Sequence, residues 1–282
     1  MTMVKPARKS MERLDVMIAY SCNLGCQGCI SLSDFNRDGI APLDAVVDWC
    51  RVWSKLIDPK VITLFGGEPC LHPHLIEICK TIRQCWPDCT LRLITNGYLL
   101  DNFPAEAWFD FAPFEMQVSI HRADHESVIN QKIKKVLSCR DHWHVHQDPK
   151  STHQKLVWSL PGMTIYKSWF REFIVPYRYT NDQFKPWNSD PALAHKICGA
   201  PSTPVLYKGQ LYKCPAVANA IDLSNENWFN YQACSGAETL DEFVNSIGIP
   251  ESVCGQCPEL SQAVIIDHFD KKNVRVKQKN IS

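Results

Sequence analysis

Cys22, Cys26 and Cys29 place three thiols within eight consecutive residues, with Gly25 and Gly28 between them. A loop with cysteines at offsets of four and three can wrap three corners of an iron-sulfur cube, and its glycines let the backbone turn tightly and approach closely. Three ligands leave one corner free. A tetrahedral zinc ion fits the same thiols only with a fourth protein ligand or an activated water, and the spacing excludes neither metal. Farther along, Cys198, Cys214, Cys254 and Cys257 form a quartet that could complete either a [4Fe-4S] cluster or a structural zinc site. A third stretch, Gly66-Gly67-Glu68-Pro69, is a turn that ends a β-branched, apolar run.

The elements that must carry these residues alternate in type. Residues 14–19 are a short apolar run read as a strand, with the cysteine loop directly after it. Leu43, Val46, Val47, Cys50, Trp53 and Ile57 recur at helical spacing, and residues 61–65 form a second β-branched run ending at the glycine pair. A helix over about 74–85 leads to a strand at 90–95 that stops at Asn96-Gly97, and a helical segment near 105–109 precedes a strand at 115–120. Repeated βα units imply a parallel sheet with its ligand site at the carboxyl ends of the strands. The cysteine loop, the glycine pair, Asn96 and Ser119 all fall at such ends.

After Asp124 the alternation weakens. A helix at 129–137 is followed by strand-like runs at 143–146, 155–160 and 170–175 with no long helices between, so the expected barrel is abridged. Residues 176–191 read as a connecting loop, and the boundary is set near Thr180, dividing the chain into 1–180 and 181–282. Residues 203–214 alternate about Lys208-Gly209 as a two-residue hairpin would, bringing Cys214 back toward Cys198. Thr239-Leu240-Asp241-Glu242 reads as a capping box opening a helix that Gly248 stops. The polar, basic stretch 271–282 reads as a frayed tail.

The chain has 282 residues, enough to bury a full core, and its 30 basic residues balance 30 acidic ones, which gives no argument for a nucleic-acid or membrane partner. Neither a signal peptide nor a membrane-length apolar run is present, so a cytoplasmic protein is expected. In that setting 14 cysteines point to metal or redox chemistry, not to a disulfide framework.

Taken together, the three-cysteine loop after a first strand and Gly66-Gly67-Glu68-Pro69 after a second resemble the radical S-adenosylmethionine superfamily, over roughly residues 14–125. The resemblance implies a partial (β/α)6 TIM-like barrel and a [4Fe-4S] cluster on Cys22, Cys26 and Cys29. S-adenosylmethionine would chelate the fourth iron, and reductive cleavage would release a 5'-deoxyadenosyl radical. It also implies that Gly66, Gly67 and Glu68 hold the methionyl amino group, with Asn96 and Ser119 as ribose or carboxylate contacts. The family usually has an aromatic residue just before the third cysteine. This chain has Gly28 there, so packing for the adenine must come from elsewhere. The later pattern, Cys198, Gly209, Cys214 and Cys254-Gly255-Gln256-Cys257, resembles the small twitch or SPASM-like domain of radical enzymes, a hairpin plus helix holding an auxiliary [4Fe-4S] cluster. Zinc is the alternative for this quartet.

Hydrogen abstraction from a small polar metabolite of sugar or aminocyclitol type, leading to oxidation or epimerisation, is the expected reaction. An external reductant of flavodoxin or ferredoxin type would drive it. With about thirteen residues before the first strand, no N-terminal peptide-recognition domain is expected. A peptide maturase with separate leader recognition and a non-catalytic iron-sulfur or zinc protein are the alternatives. Cys234 is a candidate hydrogen donor, and Arg171, between Phe170 and Phe173, is a candidate substrate contact, followed by Tyr177, Arg178 and His121. Cys50, Cys70, Cys79, Cys85, Cys89 and Cys139 are read as packing cysteines.

Overall fold

The computed structural model describes residues 8–148, 155–180, 183–223 and 228–277. Strand β1 (Lys9–Ala19) runs into the cysteine loop, within which β2 (Leu24–Cys26) is a short extended piece. Helix α1 (Leu43–Trp53), β3 (Ile57–Gly66), α2 (Leu75–Cys85), β4 (Thr90–Thr95), β5 (Phe114–Ile120) and α3 (Glu126–Leu137) continue the βα alternation. The meander β6 (His144–Asp148), β7 (Lys155–Leu160) and β8 (Met163–Trp169) follows, then short pieces β9 (Glu172–Ile174), β10 (Arg178–Thr180) and β11 (Gln183–Lys185). The C-terminal region comprises α4 (Pro191–Lys196), the hairpin β12 (Val205–Tyr207) and β13 (Gln210–Tyr212), α5 (Pro215–Leu223), α6 (Leu240–Ser246), β14 (Ile265–Asp267) and β15 (Val274–Val276).

Nine strands form one open sheet in the order β13-β12-β1-β3-β4-β5-β8-β7-β6. Six neighbours, β12 to β8, are parallel, and antiparallel strands border them on both sides. The architecture is therefore a partial TIM-like barrel, open among the described residues. The hairpin from beyond residue 180 belongs to this same sheet, with Asp15 beside Val205.

Side-chain alternation splits the sheet into two faces. Leu14, Val16, Ile18, Ile62, Leu64, Leu91, Leu93, Met116 and Val118 point toward the helices and form the main core with Val46, Cys50, Ile78 and Cys79. On the concave face, Met17, Phe65, Val205, Tyr207 and Tyr212 are covered by Val217, Ala218 and Val253 of the C-terminal region. Along β4, β5 and β8 that face stays open. There Arg92, Ile94, Glu115, Gln117, Thr164 and Tyr166 are half-buried while the residues between them are buried.

Three sequence readings change. The strand expected at 170–175 lies at Met163–Trp169, because the Pro161-Gly162 turn starts it early, and only β9, outside the main sheet, falls in the expected range. The tail is not frayed up to residue 277: β15 pairs antiparallel with β2, and Val274 is fully buried against Cys22, Leu24 and Cys26. An isolated strand such as β2 carries unpaired backbone groups, and the tail satisfies them. Residues 278–282 lie outside the described ones. Thr239 makes no side-chain cap, since a 3-10 turn over Ala237–Thr239 already supplies the first turn of α6.

Candidate functional site

The Gly66-Gly67 pair sits directly on the chain that enters the cysteine loop. Gly67 donates to the Ala19 carbonyl at 2.8 Å and Glu68 to that of Ser21 at 2.9 Å. A Cβ on Gly67 would overlap the Ser21 carbonyl and lie 3.0 Å from the Cys22 nitrogen, and one on Gly66 would overlap the Ala19 carbonyl. Both glycines are thus required by the close approach of two backbones, before any ligand is considered.

Glu68, 1% exposed, then ties this turn to the end of β4. Its carboxylate accepts from the Thr95 hydroxyl (2.7 Å), the Asn96 backbone (2.8 Å) and the Cys70 backbone (2.9 Å). Burial pushes the Glu68 carboxyl above its ordinary range, against the lowering effect of these donors. Asn96 extends the tie: its amide donates to Asn23 Oδ1 at 2.7 Å and to Cys22 Sγ at 3.7 Å, while its carbonyl oxygen accepts from Tyr98 N at 3.2 Å. Glu68 and Asn96 therefore fix the cysteine loop relative to two strand ends. Ser119 is buried at the end of β5 beside Ser168.

Cys22 and Cys26 are buried and Cys29 half-buried. Burial, then the Glu68 charge, pushes the Cys22 thiol up to about 12, and burial, then the charges of Cys29 and Cys22, raises that of Cys26 well above its ordinary value. The charge of Cys29 adds to the rise at both Cys22 and Cys26, so the three sulfurs share one space, and a cationic centre that deprotonates them removes the conflict. The donor set fits a [4Fe-4S] cluster with one open iron. At Gly28, with φ of +75°, the position of an added Cβ lies 3.3 Å from Val175 and 3.6 Å from Phe173, and its N–H donates to the Tyr177 hydroxyl at 3.0 Å. The residues 173–177 thus occupy the side of the loop where an aromatic residue at 28 would stand.

The second cysteine set also converges. Cys198, Cys214, Cys254 and Cys257 line one cavity with Ala194, His195 and Val253. Burial raises the Cys214 thiol to about 12, with Cys198 and Cys254 adding to it, and Cys257 is raised well above its usual value by burial and the other three sulfurs. Backbone N–H groups reach three of the sulfurs, Ala200 to Cys198 at 3.3 Å, Glu251 to Cys254 at 3.5 Å, and Val217 and Ala216 to Cys214. Lys213, 5% exposed, bridges Glu251 at 2.7 Å and the Ser246 carbonyl at 3.0 Å, locking the hairpin end that bears Cys214 to the turn that bears Cys254. No signal in the sequence pointed to Lys213.

The first set is also linked to α5, which begins one residue after Cys214. Asn219 donates to the Ile30 carbonyl at 3.2 Å, and buried Arg37 donates to Asn219, to Tyr207 and to Asp222.

The structure separates two candidates from the site. Arg171 is 61% exposed and paired with Asp267 at 3.0 Å; it points outward because β9 lies outside the main sheet. Cys234 bridges Leu211 through its backbone, and its side chain is buried in the helix-side core, away from both the quartet and the concave face. Tyr177 braces the loop at Gly28 and Asp34, and Arg178 is exposed with its Nε donating to the Pro186 carbonyl. Cys70 packs behind the glycine turn, its sulfur 3.5 Å from Thr95 Oγ1. Among the described residues no helix is long and apolar enough to cross a membrane.

Residues 16–143 match the family model described as the Radical SAM superfamily. The chain is 28% identical over 132 residues to a GTP 3',8-cyclase of Microcystis aeruginosa, covering 42% of this chain and 36% of that protein. It is 32% identical over 114 residues to one of Yersinia pestis, covering 39% and 34%. The chain thus aligns with about a third of the length of these curated relatives. A similar solved structure is that of BtrN in complex with AdoMet and 2-DOIA, at 14% identity and a TM-score of 0.48, covering 91% of this chain and 96% of that one.

Proposed function

We infer, from the radical S-adenosylmethionine domain that residues 16–143 of this chain constitute, that the protein takes hydrogen from a small, hydroxyl-rich metabolite and oxidises it. When bound, a reduced [4Fe-4S] cluster and S-adenosylmethionine supply the 5'-deoxyadenosyl radical, and an external one-electron reductant of flavodoxin or ferredoxin type supplies the electron. In this reading Cys22, Cys26 and Cys29 hold the cluster. Gly66 and Gly67 present their backbone to the methionyl group, and Glu68 and Asn96 hold that turn in register with Cys22. Phe173 and Val175 stand in for the aromatic residue that Gly28 replaces.

The observation that carries the substrate class is the open part of the concave face. There Arg92, Glu115 and Thr164 lie in one register across three strands, continuing the row of the buried Asp15 and Thr63, with Gln117 and Tyr166 in the next row toward the cysteine loop. The Arg92 guanidinium in this open part is already engaged with Glu115 at 2.6 Å, and the neighbouring Arg13 with Asp15 at 2.5 and 2.9 Å. Paired charges beside amide and hydroxyl groups suit a hydroxyl-rich polyol or aminocyclitol better than a triphosphate. Oxidation is favoured over epimerisation because Cys234 is buried on the other face of the sheet, and the second cysteine set would take the electron as an auxiliary cluster. An anaerobic screen of deuterated metabolite pools, reading deuterium in 5'-deoxyadenosine, tests this. A polyol or aminocyclitol donor is expected. Label from GTP or from a peptide would overturn the substrate class.

A further inference from the structure

Cys26 faces two histidines that the three-cysteine reading does not use. One donor atom each from Cys26, His121 and His268 lie within 4.8 Å of one another. The three come from β2, the end of β5 and the turn after β14, so the fold brings them together and no sequence motif does. His268 is fully buried, and its Nε2 lies 2.7 Å from the Gln27 carbonyl. A carbonyl oxygen only accepts, so Nε2 carries the proton and Nδ1 is left with a lone pair. That Nδ1 is buried without a hydrogen-bond partner, as is Nδ1 of His121. The His121 ring is fixed against Phe170, Phe173 and His268. Two buried, unpartnered imidazole nitrogens beside a thiol are costly as they stand, and an imidazole whose other nitrogen is held by a backbone carbonyl is oriented as metal-binding histidines are.

We propose that Cys26, His121 and His268 form a mononuclear site for a divalent, borderline-soft ion such as zinc, sharing Cys26 with the cluster loop. Two nitrogens and one sulfur give a three-ligand site with a fourth position for water. Cys26 loses its thiol proton to solvent on binding, and no electron is transferred. Because one sulfur serves both sites, ion and cluster exclude each other, and cluster-free chain loaded with this ion resists cluster insertion. The proposal shares Cys26 with the functional reading above, but zinc binding by cluster-free protein is measured without radical chemistry, so either can fail alone.

The test titrates anaerobic, reduced, metal-free full-length protein with zinc against a chromophoric chelator. His121→Ala and His268→Gln are each expected to lose about one equivalent relative to wild type, whereas Cys22→Ala and Cys29→Ala keep it. The cysteine quartet binds zinc in every variant and serves as the internal reference for folding. With zinc also on the quartet, zinc-loaded wild type should then take up about eight fewer irons on reconstitution than metal-free protein, whereas zinc-loaded His268→Gln, blocked only at the quartet, should take up about four fewer. Wild-type zinc stoichiometry in both histidine variants overturns the proposal. So does equal loss in Cys22→Ala and Cys29→Ala, which assigns the ion to the cysteine loop.

Discussion

Replacing Gly67 with alanine probes the joint between the glycine turn and the cysteine loop. The added methyl group overlaps the Ser21 carbonyl, and since both partners are backbone no rotamer relieves the clash. Ordinary contact requires the two segments to part by on the order of 1 Å. That movement breaks the bonds from Gly67 to Ala19 at 2.8 Å and from Glu68 to Ser21 at 2.9 Å. Counting one buried group left unsatisfied per broken bond, at about 1–3 kcal/mol, the loss is about 2–6 kcal/mol, a large share of the roughly 5–15 kcal/mol that holds a domain together. The urea midpoint should fall by about 1 M or more. Because Cys22 follows Ser21 directly, the first cluster should assemble poorly while the second is retained, with a drop from about eight to about four irons. Gly199→Ala is the control: an added Cβ there meets nothing within 4 Å, and its effect should stay within about 0.5 kcal/mol. A Gly67→Ala protein with the wild-type midpoint and iron content would refute the close-approach argument.

Other expected outcomes follow from single contacts. Lys213→Met leaves Glu251 without its buried partner, which should cost about 3 kcal/mol and release the irons of the cysteine quartet while the first cluster stays, as read by iron analysis and EPR. Cys234→Ala should keep about eight irons and full activity, with a stability loss of about 1 kcal/mol; loss of about four irons would make it a ligand. Burial raises the Asp222 carboxyl, but bonds from Lys208 and Tyr207 and the Arg37 charge outweigh it and hold it below its ordinary value. Its contribution is therefore complete above the unfolded pKa of about 3.9 and is lost as pH falls through the lower folded value. The gap in urea midpoint between wild type and Asp222→Asn should be constant from pH 7 to 5 and shrink at lower pH.

What the sequence made legible was local. The run of residues 61–65 into the glycine pair, the cysteine offsets and the Lys208-Gly209 turn each depend on neighbours within a few positions, and each forms where it was read. The barrel strand Met163–Trp169 was hidden because Lys167 and Ser168 interrupt its apolar alternation, both being buried by tertiary contacts. Long-range pairings left no trace: Val274 against Cys26, Lys213 against Glu251, and His268 against Cys26 are each meaningful only after folding. Arg171 illustrates the converse error, since phenylalanines on both sides made an exposed, ion-paired arginine look inward-facing.

The central claim is that the three-cysteine loop, held by Glu68, Asn96 and the glycine pair, is the seat of reductive S-adenosylmethionine cleavage. The most direct measurement is 5'-deoxyadenosine release by anaerobically reconstituted, reduced protein, comparing wild type with Cys29→Ala. Wild type is expected to release 5'-deoxyadenosine, and Cys29→Ala to release none while keeping about four irons in the C-terminal quartet. Release at the wild-type rate by Cys29→Ala, or none from fully reconstituted wild type, would contradict the account.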